Sequence, residues 1–331
     1  MLIFLVSILP NISVAQDIHF SQYFNSPMSL GPGSIGAFDG DHRVHGIFRQ
    51  QWRSVTIPYR TFGIGGDGRP FDRIKRLALG AWLFNDRAGD SRLQRSHFSI
   101  GASWTSAIGT KKPGSLTIGT RFGITSLSLD PNALTFDEQY NGLYYDPSIA
   151  TSEDFTRDAM TYPDLDAGIV YRYRPEHRKS IEVGFGLFNI TRPSIGFLYS
   201  DPVPLDLRSS AHLLVQFPIA SRFDLLPKMQ YMEQGTFNEF DLGMDLRHIL
   251  LDRYGLLRAV QLGLHYRASD AGFIHAGVEY DDWTMGISYD LNFSDLVPAS
   301  RNRGAIELTL IRIFKQRSSV PVRFPACPDQ L

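Results

Sequence analysis

Side chains that could carry out acid–base or nucleophilic chemistry are scattered along this chain of 331 residues and form no known catalytic motif. The sequence contains no Gly-rich phosphate loop, no HExxH, no GxSxG and no cysteine–histidine cluster. A Ser–His–Asp arrangement assembled across strands is compatible with the sequence, but no spacing favours one. We therefore predict a protein that is not an enzyme and that uses no metal ion or cofactor.

Four of the nine histidines occupy the polar positions of alternating polar and apolar segments. They are His97, His212, His265 and His275. A histidine in such a position more often belongs to an internal hydrogen-bond network than to a metal site or a catalytic pair. The single cysteine, Cys327, excludes an intramolecular disulfide and a cysteine-based metal cluster, and we predict an unpaired thiol.

Segment 128–163 combines carboxylates with a run of large apolar side chains. The carboxylates are Asp130, Asp137, Glu138, Asp146, Glu153, Asp154 and Asp158. They could bind calcium, but their spacing does not match a dedicated calcium loop. We predict a solvated, partner-facing loop whose contact surface is Tyr140, Leu143, Tyr144 and Tyr145. The alternative is that this run folds inward over the body of the protein.

The elements that position these side chains are β-strands. In the stretch 260–291, every second side chain of three consecutive segments is apolar. A two-residue turn at 281–282 makes Tyr280 and Trp283 cross-strand neighbours. One face of this hairpin is then wholly apolar, and the other is polar, small or charged apart from Phe273. A slip of one residue would mix the two faces, so the pattern specifies the register.

Such a face suits either a soluble sandwich or the lipid side of a membrane barrel. We predict about fourteen strands, most of them close to the ~9–11 residues that a tilted membrane strand needs, and no apolar run near the ~20 residues of a spanning helix. The connections fall into a short set (109–114, 175–179, 218–221 and 281–282) and a long set (85–95, 128–163, 191–206 and 293–302). This asymmetry is typical of a single transmembrane antiparallel β-barrel, all-β in class, with short periplasmic turns and longer extracellular loops.

Two irregularities accompany this prediction. The connections 249–257 and 234–236 are respectively too long and too short for their sets, so we expect one strand to be miscounted. In the last strand the alternation stops at 311–313, so we expect it to end or bulge early.

The predicted organisation has four parts. Residues 1–15 resemble a signal peptide, with an ordinary first strand as the alternative. Residues 16–38 form an N-terminal periplasmic or plug segment, 39–314 the outer-membrane β-barrel, and 315–331 a periplasmic C-terminal tail. The net charge of −1 and the absence of a basic run predict no nucleic-acid partner.

The polar alternates become lumen residues in a barrel, and their mixed charges predict ion pairs that brace a filled interior. This lumen network comprises Arg121, Arg172, Glu182, Arg267, Glu279, Asp290 and Glu307. On the outer side we predict membrane-interface aromatics at Tyr280, Trp283 and Tyr289.

Several segments resemble one family. Residues 16–23 (QDIHFSQY), followed by Asn-Ser-Pro at 25–27, are similar to the N-terminal signature of the PorP/SprF family. Residues 48–52 (FRQQW) resemble its aromatic-Arg-x-Gln-Trp motif, and the best match is 266–271 with 286–290. The family-motif residues are Phe20, Gln22, Tyr23, Arg49, Gln51 and Trp52. A departure is 31–36, where the family usually has Asn-Pro-Ala-Tyr-Ala-Gly.

The resemblance implies a non-enzymatic, integral outer-membrane protein of the type IX secretion and gliding machinery of a Gram-negative, Bacteroidetes-type cell. Its implied role is to bind, help export or anchor a secreted surface protein or adhesin, to couple to the periplasmic machinery, or both. The implied partners are membrane lipid and type IX components (ring, translocon or peptidoglycan-linked lipoproteins), around a monomeric barrel. The alternatives are a channel for small solutes or lipids and, more remotely, a barrel hydrolase.

Overall fold

The computed structural model describes residues 18–315 except 52–56, 72–73, 90–91, 110–112, 147, 152, 154, 198–202, 254–255 and 294–302. The predicted signal peptide and all of the predicted tail except Lys315 lie outside these residues, as does Trp52.

Fourteen strands close into one antiparallel barrel, in which the first strand pairs with the last. The strands are β1 His42–Gln51, β2 Tyr59–Gly68, β3 Leu77–Ala88, β4 Leu93–Ile108, β5 Gly114–Ser128, β6 Ala159–Glu176, β7 Lys179–Phe188, β10 Arg208–Ala220, β11 Phe223–Gln234, β12 Phe237–Arg253, β13 Leu256–Arg267, β14 Ala271–Tyr280, β15 Trp283–Asn292 and β16 Arg303–Phe314. The short strands β8 Ser194–Ile195 and β9 Val203–Pro204 pair separately within one connection. The predicted barrel is confirmed.

The register of the β14–β15 hairpin is also confirmed. Tyr280 pairs with Trp283, Ala276 with Ile287, and every other predicted pair is present. Phe273, the apolar exception on the polar face, is buried inside the barrel and stacks on the His265 ring at 4.5 Å.

The expectation of a miscounted strand is wrong, because connections alternate strictly between the two ends of the barrel. Strand β12 continues to Arg253 through a register shift between Ile249 and Leu251, which shortens the connection that was thought too long. The last strand does not end early either, since pairing with β1 continues to Phe314. Its side chains also continue to alternate between the two faces of the wall. Arg312 faces outward, and its guanidinium lies 4.7 Å from the Trp283 ring centroid.

The end of the barrel that holds residues 39–41 and Lys315 carries the short connections and is here called the turn end. The opposite end, with connections 129–158 and 189–207, is called the loop end. Large apolar side chains cover the outer wall, while most of the buried side chains inside are polar or charged. Among the residues described, no helix is long and apolar enough to cross a membrane.

Residues 18–38 lie inside the barrel and are called the plug. They form two 3₁₀ turns, Tyr23–Asn25 and Pro32–Ser34, and the one-turn helix α1 Pro27–Leu30. The chain leaves the plug at the turn end, where the Asp41 amide donates to the Phe314 carbonyl at 2.9 Å. At the other extreme, Arg208, the first residue of β10 at the loop end, donates to the Ile18 carbonyl at 3.2 Å. The described part of the N-terminal segment is therefore enclosed by the barrel wall.

Candidate functional site

The upper part of the plug is held by one buried carboxylate of the wall. The backbone amides of Ser21 and Gln22 donate to the two carboxylate oxygens of Glu307 at 2.7 and 2.8 Å. The hydroxyl of Ser21 donates to Asp290 at 2.7 Å. Because the plug has no strand partner, these wall carboxylates satisfy backbone donors that would otherwise be buried without a partner.

Two wall arginines balance these carboxylates. Arg49 forms ion pairs with Glu307 and, at 3.4 Å, with Asp290. Arg267, which is almost fully buried, lies 3.5 Å from the Asp290 carboxylate and donates to the Ser21 hydroxyl at 3.0 Å. Buried charges are tolerated when they are paired and hydrogen-bonded in this way.

The same arrangement recurs lower in the lumen. Arg121 pairs with Asp166 at 2.6 Å and donates to the Met28 carbonyl of the plug at 2.8 Å. Near the turn end, Arg43 pairs with Asp67 at 2.9 Å, and this pair contacts the plug at the Ser34 carbonyl and the Gly36 amide. Arg121 and Arg43 thus each have a carboxylate partner on the wall and an acceptor on the plug.

Inward glycines let the plug backbone reach the wall. A Cβ added to Gly168 would lie 2.9 Å from the Gly33 amide nitrogen, and one added to Gly186 would lie 2.9 Å from the Leu30 carbonyl oxygen. A Cβ at Gly119 would overlap the Pro32 carbonyl. These positions tolerate only glycine without displacement of the plug.

All seven residues of the predicted lumen network lie on the inner wall, although they do not form one cluster. Arg172 pairs with Glu182 at 2.9 Å, and Glu279 pairs with Arg247 at 3.3 Å, both away from the Glu307 group. Of the family-motif residues, Phe20, Gln22, Tyr23 and Arg49 are buried, and Gln51 accepts from Arg49 at 3.3 Å.

Sequence reasoning missed other charged partners, namely Arg43, Asp67, Asp166 and Asp241. A signal was available, since Arg43 has the inward parity of Arg49 on β1, and Asp166 faces inward as every second residue of β6 does. Parity shows which side chains face inward, but not which plug atoms they contact.

One lumen cluster has the composition of a metal site. The carboxylate of Asp245 lies 2.9 Å from His265 Nε2 and 3.3 Å from His275 Nδ1. The Lys228 ammonium already pairs with this carboxylate and lies 3.2 Å from the centre of the Phe24 ring. A divalent cation would be repelled by that ammonium, so the arrangement favours a hydrogen-bonded cluster that clasps the plug at Phe24.

Two spaces lie inside the described lumen. A cavity of about 370 Å³ opens at the turn end, and a pocket of about 40 Å³ lies above the plug. The larger is lined mainly by charged side chains, including Arg174, Arg178, Arg247 and Asp252. The smaller pocket is lined in part by plug residues, namely Ile18, Phe20, Met28 and Ser29.

The predicted contact residues form an exposed hairpin tip in connection 129–158. Tyr140 and Tyr145 form an antiparallel bridge, and the side chain of Asn141 accepts from the amides of Leu143 and Tyr144 at 3.0 and 3.1 Å. Leu143 is 85% exposed and Tyr144 62%. The tip therefore does not fold inward, and its own hydrogen bonds order it.

The same connection is strongly acidic, with seven Asp or Glu residues and one Arg between positions 129 and 158. Next to the hairpin tip, the Ser148 hydroxyl donates to Asp146 at 2.6 Å and the Ser148 amide donates to it at 2.9 Å. These hydrogen bonds lower the pKa of the Asp146 carboxyl. The acidic charge lies at the loop end, beside exposed aromatic side chains.

On the outer wall, Tyr280 and Tyr289 are 49% and 44% exposed, and Trp283 lies at the turn end beneath Arg312. Their outward position agrees with the parity used to choose them, and their role at a membrane interface stays a prediction.

Among solved structures, the chain is similar to the CymD monoaromatic hydrocarbon channel, with a TM-score of 0.49 and 11% identity over 88% of this chain and 93% of that one. It is also similar to the Pseudomonas putida toluene transporter TodX (TM-score 0.48, 11% identity, 87% and 92% covered) and to a Pseudomonas aeruginosa FadL homologue (TM-score 0.43, 12% identity, 87% and 94% covered). No curated protein matches the chain. A family model described as type IX secretion system membrane protein PorP/SprF matches residues 12–311.

Proposed function

Because this chain belongs to the PorP/SprF family of type IX secretion system membrane proteins, we propose that it is a sealed, non-catalytic docking barrel for the proteins that this system handles. It is an outer-membrane protein with a closed barrel of fourteen strands. In our proposal, connection 129–158 binds a secreted surface protein or adhesin, to anchor it or assist its export. The turn end contacts the periplasmic secretion machinery.

The hairpin tip of connection 129–158 is the observation that carries this proposal. Large apolar side chains that are exposed, clustered and already ordered lose little conformational entropy on binding, and aromatic residues are common binding hot spots. Tyr140 is 58% exposed and Tyr145 44%. With Leu143 and Tyr144 they make four neighbouring side chains that are available to a partner.

The filled lumen supports docking over the alternative of a solute or lipid channel. Passage would require the plug to leave Glu307, Asp290, Arg121 and Asp67, where its backbone and side chains have buried hydrogen-bond partners. No observation among the described residues favours an open path, so we do not propose a transport role.

A double substitution at the tip tests the proposal. L143D/Y144D should reduce by about tenfold or more the amount of secreted surface protein that co-purifies with the barrel from detergent-solubilised outer membrane. V203D is the matched control, since Val203 is 63% exposed in the other long described connection. Equal recovery with the double variant, V203D and the wild type would refute the role of the tip.

A further inference from the structure

An apolar groove of about 850 Å³ runs along the outer wall of the barrel, over the first six strands. Its walls are exposed large side chains, namely Val44, Leu79, Ile100, Phe122 and Leu165. Ala81 and Ala102 form part of its floor, and Pro70 lines its edge at the turn end. The groove therefore lies in the apolar band of the wall and reaches down to the β2–β3 turn.

That turn, 69–76, is both apolar and basic. Phe71 and Ile74 are 47% and 45% exposed, and Lys75 and Arg76 are exposed beside them. The Ile74 amide donates to the Phe71 carbonyl at 3.1 Å. Large apolar side chains interleaved with basic ones are typical of segments that lie in a membrane interface.

The turn is fixed at the level of an outward tryptophan. The Arg76 carbonyl accepts from the Thr105 amide at 2.9 Å, and the preceding residue, Trp104, is 47% exposed on the outer wall. Exposed tryptophans concentrate at the boundary between acyl chains and head groups. Lys75 and Arg76 thus belong at head-group level, directly below the groove.

The basic charge is local to this part of the rim. Lys75 and Arg76 are adjacent exposed cations, whereas the β14–β15 turn at the same end is Asp281-Asp282. A lipid whose head group carries net negative charge is complementary to these cations and not to the β14–β15 turn.

From these features we infer that the groove, together with Lys75 and Arg76, binds one anionic phospholipid of the periplasmic leaflet. An acyl chain lies between Leu79, Ile100 and Phe122, and the phosphate contacts Lys75 and Arg76. The site is separate from the tip of connection 129–158 and does not depend on the proposed docking role.

Native mass spectrometry of the full chain in detergent tests this inference. Dioleoylphosphatidylglycerol should remain bound after delipidation and dioleoylphosphatidylethanolamine should not. K75E/R76E should weaken retention of the phosphatidylglycerol on the order of tenfold or more. The matched control is R222E/R253E, which reverses two exposed cations elsewhere at the turn end and should retain the lipid.

Substitutions that fill the groove test the acyl-chain contact separately from the head-group contact. A81F/A102F should lose the lipid, whereas A276F, at an exposed outward alanine on β14, should not. Heat-modifiable migration on gels verifies that each variant is folded. Equal retention of both lipids by the wild type, or unchanged retention in K75E/R76E or A81F/A102F, would overturn the inference. So would release of a co-purifying membrane protein by A81F/A102F with the lipid still bound, since the groove would then be a protein interface.

Discussion

The plug–wall contact and the hairpin tip of connection 129–158 treat polar and apolar groups in opposite ways. Around Glu307, every charge is buried and paired, and the plug donates its backbone amides to the wall. At the tip, large apolar side chains remain exposed, and hydrogen bonds within the connection hold them in place. The charges around Glu307 are already paired with one another, whereas the apolar side chains of the tip are open to a binding partner. This difference is the basis of our proposal that the interior seals the barrel and the tip binds a partner.

The largest expected effect comes from Glu307→Ala, which would disrupt the plug–wall contact. The change leaves two plug amides buried without their acceptor and removes one of the two carboxylates that pair with Arg49, so we expect a loss of about 3–5 kcal/mol in the free energy of unfolding. Urea unfolding of the barrel in lipid vesicles, followed by tryptophan fluorescence, measures it.

The control is Glu176→Ala, which removes an exposed carboxylate paired with Lys179 at 2.7 Å and should cost about 0–1 kcal/mol. If the two substitutions cost the same, the plug is not held by Glu307.

A smaller effect is expected from Gly119→Ala. The added Cβ would lie 2.6 Å from the Pro32 carbonyl carbon, so the plug must shift, at a cost of about 1–3 kcal/mol. Conductance in planar bilayers should rise above the wild-type level because the seal loosens. Gly46→Ala is the matched change, since its Cβ meets nothing nearer than 3.7 Å. Silent bilayers with both variants would show that the seal does not depend on this contact.

The L143D/Y144D variant should change the free energy of unfolding by less than about 0.5 kcal/mol, because both side chains are exposed and pack against nothing that is lost. The same urea titration measures it. A large destabilisation would mean that the tip has a structural role, and the contrast between the two regions would fail.

The smallest effect is local and depends on pH. Hydrogen bonds from Ser148 lower the pKa of Asp146 below its ordinary value of 3.8, so their contribution to the order of the connection is complete above that value. It is lost as the pH falls below 3.8 and the folded carboxyl takes up its proton. Hydrogen-exchange protection of the Ser148 amide should therefore persist from pH 7 to about 4 and then decrease. Asp146→Asn should abolish this pH step, and a step that persists in the variant would contradict the assignment.

Much of the barrel could be predicted because a strand has a period of two. Parity alone placed Arg121, Glu182 and Glu307 inside and Ile287 outside, and the hairpin at 281–282 was correct in every pair. The errors arose where the polar–apolar pattern along a strand does not show how far that strand pairs with its neighbour. Strand β16 continues to Phe314 because β1 offers it partners, although Ile311 and Ile313 obscure the alternation.

The sequence by itself determined the fold class, the number of strands, the register of its clearest hairpin and the family. These follow from side-chain period and from local motifs, which are properties of adjacent residues. Only the tertiary structure decided that residues 18–38 fill the lumen, because their partners lie up to 287 positions away, as between Gln22 and Thr309. Tertiary structure likewise decided which inward charges meet, since closure of the barrel brings β1 beside β16, and no spacing along the chain encodes that distance.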